Sequence, residues 1–210
     1  MNNQVIINEL IKKCKVIPII IIEQEDAAIS LADALINGGL PLAEITFRTK
    51  EAEIVIKKLT KERPNLLVGA GTILSIDTLH KAIDCGAKFG VAPGFNRIVV
   101  EEAIRLNFPF SPGVMTPSDI EAALELGVKL LKFFPAEASG GIDMLKSLCA
   151  PYAHMGVEFI PTGGINQQKL KDYLDIPQVL AVGGTWIAKK EDITEGNWQA
   201  ITERCKLISD

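Results

Sequence analysis

Residues 108–135 read FPFSPGVMTPSDIEAALELGVKLLKFFP, and their pattern decides the fold. FPFSPG and LLKFFP are short apolar runs punctuated by Pro and Gly, as buried strands are. Between them, TPSDIEAALELG places Pro117 in a first helical turn and closes on Gly127, the start and stop signals of a helix. A strand, a helix and a second strand in so short a stretch form a βαβ unit. Such units build parallel sheets.

The same alternation runs outward in both directions. Further strand runs are VIPIIII (from Val16), LAEITF (from Leu42), LLVGAG (from Leu66), FGVAPG (from Phe89), EFIPTGG (from Glu158) and VLAVGG (from Val179). EDAAISLADALINGG ends on a glycine stop signal, and SIDTLHKAIDCG runs from Ser75 as N-cap to Gly86. MNNQVIINELIKKCK reads as an additional amphipathic helix. Eight strand runs in 210 residues give one unit per roughly 26 residues, near the minimum for βα repeats. The expected fold is α/β: a single (β/α)8 TIM barrel over residues 1–210, as one domain, with an extra N-terminal helix. A doubly wound open sheet is the alternative.

Composition narrows the function. The chain is 48% hydrophobic and 23% charged, which suits a globular core, and its net charge of −4 comes with no basic patch for nucleic acid. VIPIIII is too short to span a bilayer and no signal-peptide core precedes it, so the expectation is a cytoplasmic protein with no membrane partner. Cys14, Cys85, Cys149 and Cys205 have neither metal-ligand nor redox spacing. His80 and His154 are the two histidines, and no His/Asp/Glu cluster has metal-ligand spacing, which argues against a zinc or iron enzyme.

Polar residues at strand ends carry the chemistry, because active sites of this fold form there. In LAEITFR, Glu44, Thr46 and Arg48 share one face, while Ala43, Ile45 and Phe47 share the other. The polar set would point inward, either as a structural Glu–Arg bridge or as working groups. In LLKFFP, Lys132 has apolar neighbours for two positions on each side. Burial disfavours an ammonium, and imine chemistry needs a neutral amine. A lysine snorkelling out of the mouth is the alternative. PTGG and VGGT end the last two strands, where a phosphate site of this fold forms from backbone N–H groups. Tight turns alone would use the same glycines.

EITFRT, VGAGT, SPGVMTP, KFFPAE, PTGGI and AVGGTW occur in this order over nearly the whole chain. In them the chain resembles the family of 2-keto-3-deoxy-6-phosphogluconate (KDPG) and 4-hydroxy-2-oxoglutarate (KHG) aldolases. The resemblance implies a class I aldolase that cleaves a 2-keto-3-deoxy phosphosugar acid to pyruvate and glyceraldehyde 3-phosphate, with no metal or other cofactor, and that forms homotrimers. It makes Lys132 the Schiff-base lysine and Glu44 the general acid/base. Arg48 and Thr72 would hold the pyruvate carboxylate, Pro93 and Phe134 would line the pocket, and Thr162 would bear on stereochemistry. Gly163, Gly164, Gly184 and Thr185 would bind phosphate. Where some relatives carry an active-site arginine at the end of the first strand, this chain has Ile20. A phosphosugar isomerase or epimerase, or a non-catalytic phosphometabolite-binding barrel, are the competing readings. Neither needs Glu44, Arg48 and Lys132 together.

Overall fold

The helix expected after the SPG turn forms where its signals place it. In the computed structural model, which describes residues 3–209, Thr116 caps it: its hydroxyl accepts from Asp119 N at 3.3 Å, and Asp119 Oδ2 accepts from Thr116 N at 2.9 Å. Pro117 opens the helix, where a missing N–H costs nothing. Gly127 ends it at φ 77, a left-handed conformation that glycine adopts freely.

The described residues run α1 (Asn3–Cys14), β1 (Val16–Ile20), α2 (Ala27–Asn37), β2 (Leu42–Thr46), α3 (Ala52–Glu62), β3 (Leu67–Gly71), α4 (Ile76–Asp84) and β4 (Gly90–Val91). Then come α5 (Arg97–Arg105), β5 (Phe110–Ser111), β6 (Gly113–Val114), α6 (Pro117–Glu125), β7 (Leu130–Phe133) and α7 (Gly141–Tyr152). The chain finishes with β8 (Glu158–Pro161), α8 (Gln167–Leu174), β9 (Val182–Gly184), α9 (Lys190–Glu195) and α10 (Trp198–Ser209).

The α/β class holds, but the closed eight-stranded TIM barrel does not. The strands form a six-stranded parallel sheet in the order β5-β4-β3-β2-β1-β9 and a separate three-stranded sheet, β6-β7-β8. The physical break lies in FPFSPG. Pro112 has no N–H to give a ladder, and it divides the expected fifth strand into β5, at the edge of one sheet, and β6, at the edge of the other. Pro112 still accepts from Lys132 N at 2.9 Å. At the other seam, β8 and the β9 segment meet only through isolated bridges, Phe159 with Val179 and Thr162 with Gly183. The expected eighth strand is correspondingly short.

The strands have two apolar faces. One face packs against the helices in the larger core, with Ala43, Ile45, Leu131 and Phe133 among its buried members. The opposite face gives a second cluster in which Ile17, Leu42, Phe89, Leu130 and Ile160 meet Ile7 and Ile11 of α1. The N-terminal helix therefore plugs one end of the strands and gives the site above it a dry apolar floor. Gly69 belongs to this arrangement, because a Cβ there would fall on the Phe89 ring.

Replacing Thr116 by Ala removes the cap of α6 and is expected to lower stability by about 1 kcal/mol. Urea unfolding of the two proteins measures it.

Candidate active site

Strand alternation carries the polar groups inward above that floor. On β2, Leu42 belongs to the floor and Glu44 and Thr46 follow at steps of two. On β7, Leu130 belongs to the floor and Lys132 follows. Glu44 and Lys132 sit on different sheets and meet across the interior. Lys132 Nζ lies 3.3 Å from Glu44 Oε1, and the two side chains are 7% and 3% exposed. The face of Phe134 lies 5.6 Å from the same nitrogen. A Cβ at Gly71 would fall on the Glu44 carboxylate, so the glycine of GAGT clears the space that the carboxylate fills.

These groups wall a cavity of about 130 Å3. Glu44, Arg48, Thr72, Pro93, Lys132 and Phe134 line it together with Thr162, Gly163, Gly164 and Thr185. Gly184 is the one expected site residue that is not on this wall. It is buried with its α-carbon against the Trp186 ring, and Gly183 lines the cavity in its place. A larger cavity of about 350 Å3 opens at the starts of the strands, among residues such as Asn8, Phe108 and Lys129. It lies at the opposite end from the Lys132–Glu44 pair and contains neither.

Arg48 lies just past the end of β2, in an exposed turn. Its guanidinium has no ion pair among the described residues, and Glu44 is paired with Lys132 instead. A structural Glu44–Arg48 bridge is thus not what the inward polar face contains, and Arg48 faces the mouth free to take an anion. Lys132 is buried rather than snorkelled.

Thr72 follows β3 at φ 61. A β-branched residue in the left-handed region is a true outlier and costs of order 1–3 kcal/mol. The ladder on both sides imposes it: Phe47 N donates to Gly71 O at 2.8 Å, and Ile73 N to Val91 O at 3.2 Å. At Pro93 the backbone is gripped from behind by Gly113, whose Cβ, if present, would fall on the Pro93 carbonyl.

Besides Gly183, the wall holds three residues not assigned a role from the sequence: Ile19, Thr46 and Ile165. Thr46 shares the inward face of β2 and donates from Oγ1 to Ile20 O at 3.1 Å. Ile19 lines the cavity, while Ile20, the residue matched to the relatives' arginine, is buried among the helices. The register settles this, because Ile19 pairs with Glu44.

Among the described residues no group of three or more His, Cys, Asp or Glu side chains is placed to hold a metal ion. None of the four cysteines lines the cavity, and burial raises all four thiols, Cys149 to about 11 and Cys205 to about 12. No described helix is long and apolar enough to cross a membrane.

The family model for KDPG and KHG aldolase matches residues 7–204. The chain belongs to this family. It is 43% identical to the 2-dehydro-3-deoxy-phosphogluconate aldolase of Haemophilus influenzae over 202 residues, which is 96% of this chain and 94% of that one. Its fold superimposes on the KDPG aldolase of Legionella pneumophila, solved with pyruvate captured as a covalent carbinolamine, with a TM-score of 0.93 and 37% identity, covering 97% and 98% of the two chains. The Zymomonas mobilis enzyme with 3-phosphoglycerate gives 0.88 and 37%, covering 97% and 94%. Five of the six family motifs of the sequence place residues on the wall of the cavity that holds Lys132, and Gly113 of the sixth packs against Pro93.

Thr72 offers a test in which geometry and chemistry separate. Thr72→Gly is expected to leave stability within about 1 kcal/mol of the parent, because relief of left-handed strain offsets the added freedom of the unfolded chain. Thr72→Val keeps the shape and the strain but loses the hydroxyl. Weaker pyruvate binding in both variants, with unchanged urea midpoints, assigns the hydroxyl to the ligand rather than to the fold.

Proposed function

We infer that the chain is a class I aldolase that cleaves KDPG to pyruvate and glyceraldehyde 3-phosphate through an imine on Lys132. The observation that carries this is the buried Lys132–Glu44 contact of 3.3 Å beside a free guanidinium and two glycine turns. An amine that must attack a ketone needs a nearby group to take and return protons. Glu44 is within reach, and the apolar floor beneath both keeps bulk water away. The Legionella relative, with pyruvate held as a carbinolamine, supports the covalent route. The Zymomonas relative, with 3-phosphoglycerate, supports a phosphorylated substrate.

In this reading, the Lys132 amine adds to C2 of the substrate, and Glu44 carries protons as the carbinolamine loses water. The C4 hydroxyl then gives its proton to Glu44. The C3–C4 bond breaks, its electron pair moves into the protonated imine to form an enamine, and glyceraldehyde 3-phosphate leaves. The enamine takes a proton at C3, and water adds to the imine to release pyruvate and the free amine. Arg48 makes charge-assisted bonds to the carboxylate and holds C2 at the amine, with the Thr72 hydroxyl beside it. Pro93 and Phe134 flank the planar imine, and Thr162 borders the C4 side. Gly163, Gly164 and Thr185 receive the phosphate through N–H and hydroxyl donors, with Gly183 at the wall and Gly184 behind it shaping the turn.

KHG is a smaller substrate for the same pyruvate end, and its cleavage to pyruvate and glyoxylate follows the same steps. A homotrimer in the cytoplasm completes the reading. Leu74 and Ile98, 58% and 64% exposed and both bonded through Asn96, offer apolar surface for such an assembly to bury.

Borohydride added with pyruvate should trap a reduced adduct on Lys132, read by mass spectrometry of the digest. An adduct on another lysine, or none, overturns the assignment. Lys132→Ala should abolish the adduct. Glu44→Gln should retain it while slowing turnover by roughly 100-fold or more, the usual worth of a general base.

A further inference from the structure

The KFFPAE motif supplies a second carboxylate, Glu137, that the mechanism above leaves unused. Glu137 opens a short 3-10 turn after β7 and has contacts on two sides of the Gly163–Gly164 turn. In front, its backbone N–H donates to Gly163 O at 3.1 Å. Behind, its carboxylate is held by α8, the helix that leaves that turn. Oε1 accepts from the Tyr173 hydroxyl at 2.6 Å, and Oε2 pairs with Lys169. Gly164 lies against it at φ 76, where an added Cβ would come within 2.7 Å of the Glu137 Cβ.

We propose that Glu137 is the positioning residue of the phosphate turn: it fixes Gly163 and Gly164 relative to the imine lysine, so that their N–H groups are preset for the substrate phosphate. The proposal rests on the aldolase reading above. Glu137 lies four residues past the end of the strand that carries Lys132, and Tyr173 and Lys169 lie on the helix that follows the turn. The carboxylate therefore sets the distance between the covalent end of the substrate and its phosphate end.

A carboxylate beside a phosphate site would repel the ligand if it stood alone. Both of its oxygens are occupied by donors. Burial works to raise the Glu137 carboxyl, but the bonds from Lys169 and Tyr173 outweigh it and hold the group below its ordinary range. Burial and the facing carboxylate push the Tyr173 hydroxyl up, so it stays a donor. The pyruvate end does not depend on this clamp. Thr162 is held by its own bonds, from its N–H to Phe133 O at 2.9 Å and from Ala136 N to its carbonyl at 2.7 Å.

The test compares a phosphorylated and a non-phosphorylated readout in the same proteins. Glu137→Ala should raise KM for KDPG about tenfold, the worth of a hydrogen bond to a charged group. Tyr173→Phe, a milder change inside the same clamp, should move KM in the same direction. Glu137→Gln, which keeps an oxygen for Tyr173, should recover part of the loss. Deuterium exchange into the methyl group of pyruvate, which needs the imine and enamine but no phosphate, should stay within about twofold of the parent in all three, since Thr162 and Lys132 are anchored separately. Parallel losses in cleavage and exchange would make Glu137 a general strut and overturn the proposal. So would an unchanged KM for KDPG in both Glu137→Ala and Tyr173→Phe. Borohydride trapping of pyruvate in the parent chain reports on the imine itself, so failure of the aldolase reading and failure of the Glu137 assignment are separate outcomes.

Discussion

The site depends on one buried contact, between Nζ of Lys132 and Oε1 of Glu44. It spans 88 positions of sequence and joins two sheets that share no ladder between β2 and β7. Desolvating two such groups is expensive, and an apolar pair of similar volume would pack as well or better. The pair is therefore poor value as a structural brace and good value as chemistry: an amine and a proton carrier, held at contact distance and screened from bulk water. Much of the neighbouring sequence makes room for it. Gly71 leaves the space that the carboxylate occupies, and Phe134 covers the amine.

The layering along the strands explains how such a pair can be tolerated. On β2, β7 and β8 the inward face begins with an apolar residue of the floor, Leu42, Leu130 or Ile160, and turns polar one step later at Glu44, Lys132 or Thr162. The polar layer is thus backed by hydrocarbon on one side and open to substrate on the other. Arg48 and Thr72 lie beyond the ends of their strands, where backbone turns replace the ladder. Arg48 keeps its charge unspent. Thr72 pays backbone strain to present its side chain, and strain of this kind persists only where flanking bonds impose it.

Much of this was legible in the sequence because it follows from local rules. The βα alternation, the glycine stops at Gly86 and Gly127 and the common face of Glu44, Thr46 and Arg48 need only short-range periodicity. What was not legible depends on geometry between distant segments. Whether strands close into one continuous ladder is decided by long-range pairings; Pro112 is a local warning against a central strand, but it does not say which neighbours β5 and β6 keep. Ile19 was missed in favour of Ile20 because an unbroken isoleucine run has no alternation from which to read a face. That Gly183 rather than Gly184 lines the cavity was hidden for a related reason: without side chains, neighbouring glycines give no signal of which one faces inward.

The two ends of the cavity use different materials, and this shapes how each can change. In the proposed reading the pyruvate end is built from side chains: Lys132, Glu44, Arg48 and the Thr72 hydroxyl. A substitution there removes a chemical group outright. In the same reading the phosphate end is built mainly from backbone, with Gly163 and Gly164 at φ 104 and 76, conformations that side chains rarely adopt. Apart from the Thr185 hydroxyl, its donors cannot be removed by substitution, only displaced. Recognition at that end must then be controlled from behind the turn, by whatever fixes its position. In the proposal made above that role falls to the contacts between the loop after β7 and α8, and the substrate must span from one end to the other. A small shift of the turn would leave imine formation intact and still hold the phosphorylated half of the substrate off line. Positioning errors of this kind cost catalysis far more than the lost contact alone.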